Sequence, residues 1–190
     1  MIWTDEHAAN LKSYLETHTL PSGVGDRESA CSIAAINLAI DGKLTDDIPD
    51  CMCEVLGSTI ISLQDAIPDD MRNSARYRAM LQRAPGTGRD KEEERLEVLM
   101  GWMRGTVSPE VQRYADENGF GDEWRKMCKE RTSASAHAAS TAAPTAAPTA
   151  ANAAAYAAYA AAAYAYASYS KGDFWQTVDP IGVLERMIEV

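Results

Sequence analysis

The spacing of apolar residues is the feature that most limits the folds open to this chain. Apolar residues recur three and four positions apart in short segments that proline and glycine separate, and no segment alternates apolar and polar residues with a period of two. A repeat of three and four is that of a helix with one buried face. The sequence therefore predicts an all-α protein, a compact multi-helix bundle.

Helix start and stop signals place the boundaries in the first half of the chain. The segment from Thr4 to Thr17 predicts an amphipathic helix. The segment from about Arg27 to Ile40 is apolar nearly all round, so it is predicted to be a central helix, and Gly42 is expected to end it. Asp47-Ile48-Pro49 predicts the start of a third helix, which Pro68 separates from the next.

The second half of the chain carries similar signals. Glutamates after Asp90 favour a helix N-terminus, and the apolar residues that follow are predicted to form a buried stripe before Gly105. That stripe comprises Leu96, Leu99, Met100 and Met103. Further helix starts are predicted at Ser108-Pro109, Asp122 and Asp179-Pro180, with a stop at Asn118-Gly119.

An alanine-rich tract follows, in which 21 of the 37 residues from Ala134 to Ser170 are alanine. Alanine favours helix whereas Pro144 and Pro148 break it, so the tract predicts an alanine- and tyrosine-rich helical hairpin, with helices over about 122–142 and 149–171. One face of the second helix either packs on the core or receives a ligand, and carries Asn152, Tyr156, Tyr159 and Tyr166. The predicted domains are a helical core over 1–133, the hairpin over 134–171, and a C-terminal helix over 172–190 that packs back on the core.

The overall charge and the targeting signals exclude several classes of protein. A formal net charge of −10 argues against a protein that coats nucleic acid non-specifically or binds an anionic membrane. The alanine-rich tract lacks the large aliphatic side chains of a bilayer span, and the first residues lack the pattern of a signal peptide. The expected location is the cytosol of a host cell, with no membrane partner.

Charge is distributed unevenly along the chain. Residues 71–89 contain five arginines and no acidic residue, whereas both flanking segments are acidic. Glycine lets a backbone approach a phosphate, a helix N-terminus offers free N–H groups, and arginine adds bidentate donors. The segment is therefore a candidate site for a small anionic or nucleotide ligand, with Tyr77 stacking on a base. The candidate ligand-binding residues are Arg72, Arg76, Tyr77, Gly86, Thr87, Gly88 and Arg89.

Other interpretations of the charged and cysteine residues stay open. The arginines can instead pair with the acidic helices on either side, since the segment lacks the Gly-Lys-Ser/Thr of a P-loop. Cys51-Met52-Cys53 can belong to a metal site or supply a nucleophile, although four cysteines at these spacings are more typical of buried free thiols. Asp46-Asp47 and Asp69-Asp70 are read as general acid/base pairs or, preferably, as helix-capping carboxylates. No metal, cofactor or catalytic residue is predicted.

Several motifs run through most of the chain. They are residues 31–40 and 44–52, then Gln64-Asp65-Ala66-Ile67-Pro68, Met71-Arg72-Asn73-Ser74, Gly86-Thr87-Gly88-Arg89 and Asn118-Gly119-Phe120-Gly121, before the alanine-rich tail. Together they resemble an uncharacterised family found in bacteria, prophages and phages. The layout from Leu99 to Gly105 into the alanine-rich hairpin is also similar to immunity proteins of polymorphic toxin systems. The resemblance implies a mobile-element context, in which small acidic helical proteins antagonise defence systems or toxins.

Two functions follow as expectations. The first is a non-enzymatic counter-defence protein of a phage or mobile element, a homo-oligomer that sequesters a nucleotide-type immune signal through the arginine segment. The second is an acidic inhibitor or immunity-type protein that blocks the basic surface of a partner, such as a host defence protein. The carboxylates of this second hypothesis are Asp46, Asp47, Asp50, Glu54, Asp69 and Asp70. An enzyme acting through Cys51 or Cys53 is a third hypothesis.

Overall fold

The structure, a computed structural model, describes residues 2–117, 119–130 and 173–190. Within these ranges the chain is mostly helical, with no strand and one isolated antiparallel bridge between Gly25 and Ala30, so the all-α prediction is confirmed. The helices are α1 (Asp5–Thr17), α2 (Ser32–Asp41), α3 (Glu54–Ala66), α4 (Asp69–Arg72), α5 (Ala75–Arg83), α6 (Glu92–Trp102), α7 (Ser108–Glu117), α8 (Gly121–Glu130), α9 (Asp173–Val178) and α10 (Pro180–Glu189). None of these helices is long and apolar enough to cross a bilayer.

Helix α1 begins and ends where the sequence predicts. Thr4 caps it: the Thr4 hydroxyl accepts from the His7 backbone N–H, and the His7 ring accepts from the Thr4 N–H. Leu11 and Leu15 form its buried face, and the helix packs on α2. Local capping chemistry and apolar spacing agree here, which is why the prediction holds.

Helix α2 lies at the centre of this core, since seven of its ten residues are buried. It begins at Ser32 rather than near Arg27, as the sequence predicts. The Asp26 carboxylate accepts two backbone N–H groups and folds the preceding stretch into a turn, and Cys31 then caps the helix. Gly42 ends α2 with a φ of 74°, the left-handed conformation that glycine favours.

The connection between α2 and α3, residues 43–53, contains no helix, so the helix start predicted at Asp47-Ile48-Pro49 is wrong. The buried side-chain amide of Asn37 on α2 donates to two carbonyl oxygens of this connection, at 2.8 Å each. Ile48 packs over Gly57 of α3, where an added Cβ would lie 2.7 Å from the Ile48 side chain. These contacts fix an irregular backbone despite the local start signal.

Helix α10 packs on α3 and α5 and completes the core around α2. The predicted start is confirmed, because Asp179 accepts from the Gly182 N–H and Pro180 occupies the first helical position. Asp179 has a φ of 46°, a left-handed conformation that few residues other than glycine adopt. The buried side chains of this helix include Val183, Leu184 and Met187.

Helices α6 and α7 form one continuous helical run. A five-residue π-helical turn, Met103–Val107, joins them, so Gly105 does not end α6 and Ser108 lies inside the run rather than at a start. Pro109 has no N–H to donate to the preceding turn, and a π turn accommodates that missing hydrogen bond. The Ser108 hydroxyl donates to the Met103 carbonyl oxygen at 2.9 Å.

Several buried side chains from the end of α6 onward are aromatic. Trp102 Nε1 donates to the Val178 carbonyl oxygen at 2.5 Å. The rings of Tyr114 and Phe120 meet edge to face, with centroids 5.8 Å apart. Gly119, in the predicted stop after α7, has a φ of 81°. The predicted hairpin and its tyrosine face lie outside the described residues.

The chain divides into two compact units. One consists of Met1–Met100 together with Asp179–Val190, and the other of Gly101–Val178. The second unit is therefore inserted between two parts of the first. The boundary after Met100 falls inside the range 1–133 that the sequence predicts as one core. The last residues of the chain belong to the first unit because α10 packs on α3 and α5.

Candidate functional site

Arg72, the first arginine of the 71–89 segment, is a core residue. Only 2% of the residue is exposed to solvent. The guanidinium forms an ion pair with Asp69 and donates to the carbonyl oxygens of Leu20, Gln64 and Ile67. It thereby ties the end of α3 and the segment after α1 to α4. The phosphate contact predicted for Arg72 is not available in this structure, because the side chain is enclosed.

Arg76, on the exposed side of α5, is held by α10. Its guanidinium lies 2.6 Å from Glu185 and 2.7 Å from Asp179, and these hydrogen bonds raise the pKa of Arg76. Burial raises the pKa of Asp179, but hydrogen bonds from Arg76 and from a backbone N–H outweigh that effect and hold the pKa below its ordinary value. Arg83 forms an ion pair with Glu189 at 3.5 Å. One helix therefore engages two arginines of α5.

Tyr77 points into the core and is fully buried. Its hydroxyl lies 2.9 Å from the Ser32 hydroxyl, and the Ser32 N–H donates to the side-chain oxygen of Gln64. Burial raises the pKa of Tyr77, so the phenol stays protonated. The predicted stacking on a nucleobase requires the core to open, because the ring is enclosed.

The glycines after α5 form a turn whose N–H groups are already engaged. Gly86 and Gly88 have φ values of 85° and 61°. Their backbone N–H groups both donate to the Cys51 carbonyl oxygen, at 2.8 and 3.2 Å. The donors that the sequence assigns to a phosphate thus hold the turn against the segment before α3.

Thr87 and Arg89 reinforce the same contact. The Thr87 hydroxyl accepts from the Cys53 N–H at 3.1 Å. Arg89 forms an ion pair with Glu54 at 2.5 Å, and the Glu92 carboxylate accepts from the Glu54 N–H at 3.2 Å. The predicted residues therefore lie in three places: Arg72 and Tyr77 in the core, Arg76 against α10, and the Gly86–Arg89 turn against the start of α3.

Helix α6 faces the core differently from the prediction. Arg95 is only 3% exposed and its Nε donates to the Met187 carbonyl oxygen at 3.0 Å. Leu96, predicted to be part of the buried stripe, is 41% exposed. The sequence does contain a signal for this orientation: Arg95, Leu99 and Trp102 are spaced four and three residues apart, which places them on one face of the helix. A long arginine stem takes an apolar position there while its charged end reaches a carbonyl group.

The outer surface of α6 combines carboxylates with an exposed apolar side chain. Glu93, Glu94 and Glu97 are exposed beside Leu96, and none of these glutamates has an ion pair among the residues that the structure describes. We call Glu93, Glu94, Leu96 and Glu97 the acidic face. The sequence patterns do not indicate this face, because they place Glu93 and Glu94 at a helix start and Leu96 in the core.

Four of the six carboxylates of the second functional hypothesis fall into two groups. Glu54 and Asp69 are in ion pairs with arginines of the 71–89 segment. Asp46 and Asp47 are exposed in the connection 43–53, where Asp47 accepts from the Thr45 hydroxyl at 2.8 Å. Asp46 and Asp47 therefore do not cap a helix, whereas Asp69 begins α4.

The cysteines match the prediction of buried free thiols at three positions. Cys31, Cys51 and Cys53 are free and buried, whereas Cys128 is partly exposed. Burial raises the pKa of Cys31, which keeps its thiol protonated and weakly nucleophilic. Across the described ranges, no group of three or more histidine, cysteine or acidic side chains is placed to hold a metal ion.

Comparison with other proteins was made at three levels. No family model, no curated protein and no solved structure matches this chain. The family resemblance of the sequence motifs therefore stays a prediction.

Proposed function

We propose that this chain is a non-catalytic binding protein whose acidic face covers a basic surface of a partner protein. One contrast carries the proposal: four of the five arginines of residues 71–89 form ion pairs within the chain, whereas the glutamates of the acidic face have no ion pair within the described residues. The chain itself neutralises most of the positive charge of this segment, whereas the carboxylates of the acidic face remain available to a partner. The net charge of −10 acts in the same direction.

The exposed side chain of Leu96 gives this face an apolar centre. Protein interfaces typically combine an apolar centre with a polar rim. Leu96 is 41% exposed and is flanked in the helix by Glu93 and Glu97. Burial of a leucine contributes about 1.5–3 kcal/mol when it is complete. A partner with an apolar depression among lysines and arginines therefore fits this face.

The connection 43–53 is a second segment with exposed carboxylates, and its end adjoins the start of α6. The Glu92 carboxylate accepts from the Glu54 N–H, which brings the start of α6 against the end of the connection 43–53. That connection carries exposed Asp46 and Asp47. Carboxylates from two segments raise the rate of encounter with a basic partner, and salt screens this attraction.

The class of partner follows from this chemistry. Proteins that bind nucleic acids or phosphates use surfaces rich in lysine and arginine. A chain that covers such a surface competes with the natural ligand, as an inhibitor or immunity-type protein does. The proposal therefore implies a nucleic-acid-binding or phosphate-binding partner, such as a toxin or a defence protein.

The test is capture followed by titration. The immobilised chain is exposed to a cell extract at low salt, the retained protein is purified, and its affinity is measured for wild type and for the double variant Glu93→Gln/Glu97→Gln. We expect an affinity loss of about tenfold or more, and weaker binding as salt rises. The Leu96→Ala variant is expected to weaken binding with an unchanged salt dependence.

The matched control is Glu6→Gln/Glu28→Gln, which makes the same change of charge outside the acidic face. Both glutamates are exposed in the first unit. An affinity that stays the same in the acidic-face variant, or that falls equally in the control, contradicts the proposal. Salt-independent binding contradicts it as well.

The nucleotide-sequestering function stays a prediction from the sequence, as do a homo-oligomeric state and a mobile-element setting. It requires the Gly86–Arg89 turn to leave Cys51 and Glu54, because both now use its donors. A thermal-shift titration with AMP and a cyclic dinucleotide, repeated with Arg89→Ala, tests it. Stabilisation that Arg89→Ala abolishes supports the prediction, and no stabilisation of the wild type refutes it.

A further inference from the structure

A cleft of about 550 Å³ lies between the end of α1 and the exposed side of α5. Its lining includes Glu16, His18, Thr19, Arg78, Ala79 and Gln82. Small-molecule sites typically have volumes of about 300–1,000 Å³. The cleft is therefore large enough for a small organic ligand, and seven of its ten lining residues have polar side chains.

Arg78 differs from the other arginines of α5. Its Nε donates to the Asn73 carbonyl oxygen at 3.1 Å, its Nη1 to the His18 carbonyl oxygen at 3.0 Å, and its Nη2 to the Asn73 side-chain oxygen at 3.0 Å. All three acceptors are neutral. Arg76 and Arg83 form ion pairs, whereas Arg78 has no carboxylate partner among the described residues.

The guanidinium of Arg78 keeps donors for a ligand. A guanidinium has five N–H groups, and three of those of Arg78 are engaged. One N–H on each terminal nitrogen has no acceptor within the described part of the chain. The three existing bonds hold the side chain in place, so a half-buried positive charge with two donors lines the cleft. Such a group suits a phosphate or carboxylate oxygen.

His18 supplies a hydrogen-bond acceptor. Its Nδ1 lies 2.7 Å from the Thr17 hydroxyl oxygen and 3.1 Å from the Tyr14 carbonyl oxygen, which only accepts. The Thr17 hydroxyl donates to the Ser13 carbonyl oxygen at 2.9 Å, so the neutral tautomer that satisfies all these contacts carries its hydrogen on Nδ1 and leaves Nε2 as the acceptor. The ring stacks on Tyr14 with centroids 4.2 Å apart, which fixes its plane. Nε2 has no partner in the described ranges, so it can accept from a hydroxyl group.

The remaining charges set the ligand's charge. Glu16 lines the cleft, and its carboxylate lies 3.9 Å from the Lys12 ammonium. Arg78 is thus the cation in this cleft that forms no ion pair with any described residue. A ligand with one anionic group matches this arrangement, whereas a polyanion meets the carboxylate of Glu16.

We propose that this cleft binds a small hydroxylated organic molecule bearing one phosphate or carboxylate group. Arg78 holds the oxyanion, and His18 accepts from a hydroxyl group. The proposal is independent of the acidic face, because the two sites share no residue. Arg78 is not among the seven ligand-binding residues that the sequence predicts.

A thermal-shift titration of the full chain tests the proposal, with ribose 5-phosphate and gluconate as charged probes and ribose as the uncharged control. At about 100 times the dissociation constant, a bound probe raises Tm by several degrees. We expect that rise with at least one charged probe and none with ribose. A response to only one of the two charged probes identifies the preferred oxyanion.

A matched pair of variants at Ala79 locates the site without disturbing Arg78. Ala79 is exposed and lines the cleft, so Ala79→Glu adds a carboxylate there, whereas Ala79→Gln adds the same bulk without charge. We expect Ala79→Gln to keep most of the rise in Tm and Ala79→Glu to lose it. The Glu93→Gln/Glu97→Gln variant is expected to keep it fully, so failure here and failure of the proposed function are distinguishable.

Three outcomes overturn the proposal. One is the absence of any rise in Tm with both charged probes. Another is an equal rise with ribose, which shows that the oxyanion does not matter. The third is a rise that Ala79→Glu retains, which places binding outside the cleft.

Discussion

Helices α5 and α6 carry opposite charges, and the fold uses these charges in opposite ways. Arg76 and Arg83 of α5 are engaged by carboxylates of α10. Helix α6 directs Arg95 into the core and leaves its exposed glutamates to solvent. A charged run in a sequence therefore does not by itself identify a binding surface. The deciding factor is whether the neighbouring helices supply counter-charges.

The largest expected effect concerns an arginine that the fold directs inward. Arg72→Met removes a donor from three carbonyl oxygens, of which the Leu20 oxygen keeps the Asn73 side-chain amide as a donor while the Gln64 and Ile67 oxygens lose their bonds to the guanidinium. We expect a loss of about 3 kcal/mol or more in the free energy of unfolding, measured by urea denaturation. Arg83→Met, at an exposed ion pair, is expected to cost about 1 kcal/mol or less. Equal losses of unfolding free energy in the two variants would contradict the distinction between a buried Arg72 and an exposed Arg83.

The next effect separates two neighbouring residues of α6. Arg95→Met removes the hydrogen bond to the Met187 carbonyl oxygen and is expected to cost about 2 kcal/mol. Leu96→Ala changes an exposed side chain and is expected to cost about 0.5 kcal/mol or less. The same denaturation experiment measures both changes. A larger cost for Leu96→Ala shows that Leu96, and not Arg95, faces the core.

A smaller effect depends on pH. The folded state lowers the pKa of Asp179, so its carboxylate contributes stability that is fully present above the unfolded pKa and is lost as pH falls through the folded pKa. Asp179→Asn keeps a capping side chain that tolerates a left-handed φ. We expect the difference in unfolding free energy between wild type and Asp179→Asn, about 1 kcal/mol or less at neutral pH, to shrink below about pH 4.

Arg76→Gln is the control for this pH dependence. It removes the cation that lowers the pKa of Asp179, so much of the pH-dependent difference is expected to disappear in the Arg76→Gln background. Urea denaturation at a series of pH values measures all four proteins. A difference that is the same at every pH, or that grows in acid, contradicts the assigned direction of the pKa shift.

The smallest expected effect is on the acidic face itself. Glu93→Gln/Glu97→Gln removes two carboxylates that have no ion pair among the described residues. We expect the unfolding free energy to change by no more than about 0.5 kcal/mol. A substantial destabilisation shows that these carboxylates stabilise the fold, which removes the argument that they are left for a partner.

Features that depend on neighbouring residues in the chain were predictable from the sequence. Helix α1 follows its Thr4 cap and its apolar spacing, and Gly42 and the Asp179-Pro180 signal act at their own positions. These signals use hydrogen bonds and backbone conformations that span only a few residues. The all-helical fold class follows from the same local patterns.

Features that depend on distant contacts were not predictable. The connection 43–53 is irregular because Asn37 binds its carbonyl oxygens, and no local signal reports that contact. The arginine segment was recognised from its composition, but Arg76 and its partner Glu185 are 109 positions apart. Pairing with the flanking acidic segments, which the sequence offers as an alternative, is confirmed for Arg72 with Asp69 and for Arg89 with Glu54. The carboxylates of α10 that engage Arg76 and Arg83 lie too far along the chain for the composition to indicate them.

The insertion of one unit into the other sets an order of folding during synthesis. The first unit needs α10, whose side chains Val183, Leu184 and Met187 are buried, and α10 is translated after the whole of Gly101–Val178. Translation adds about 5–20 residues per second, so the apolar surfaces of α3 and α5 remain uncovered for several seconds before that helix is made. The first unit therefore closes only after Gly101–Val178 has been synthesised, and until then the apolar faces that α10 covers are exposed to aggregation.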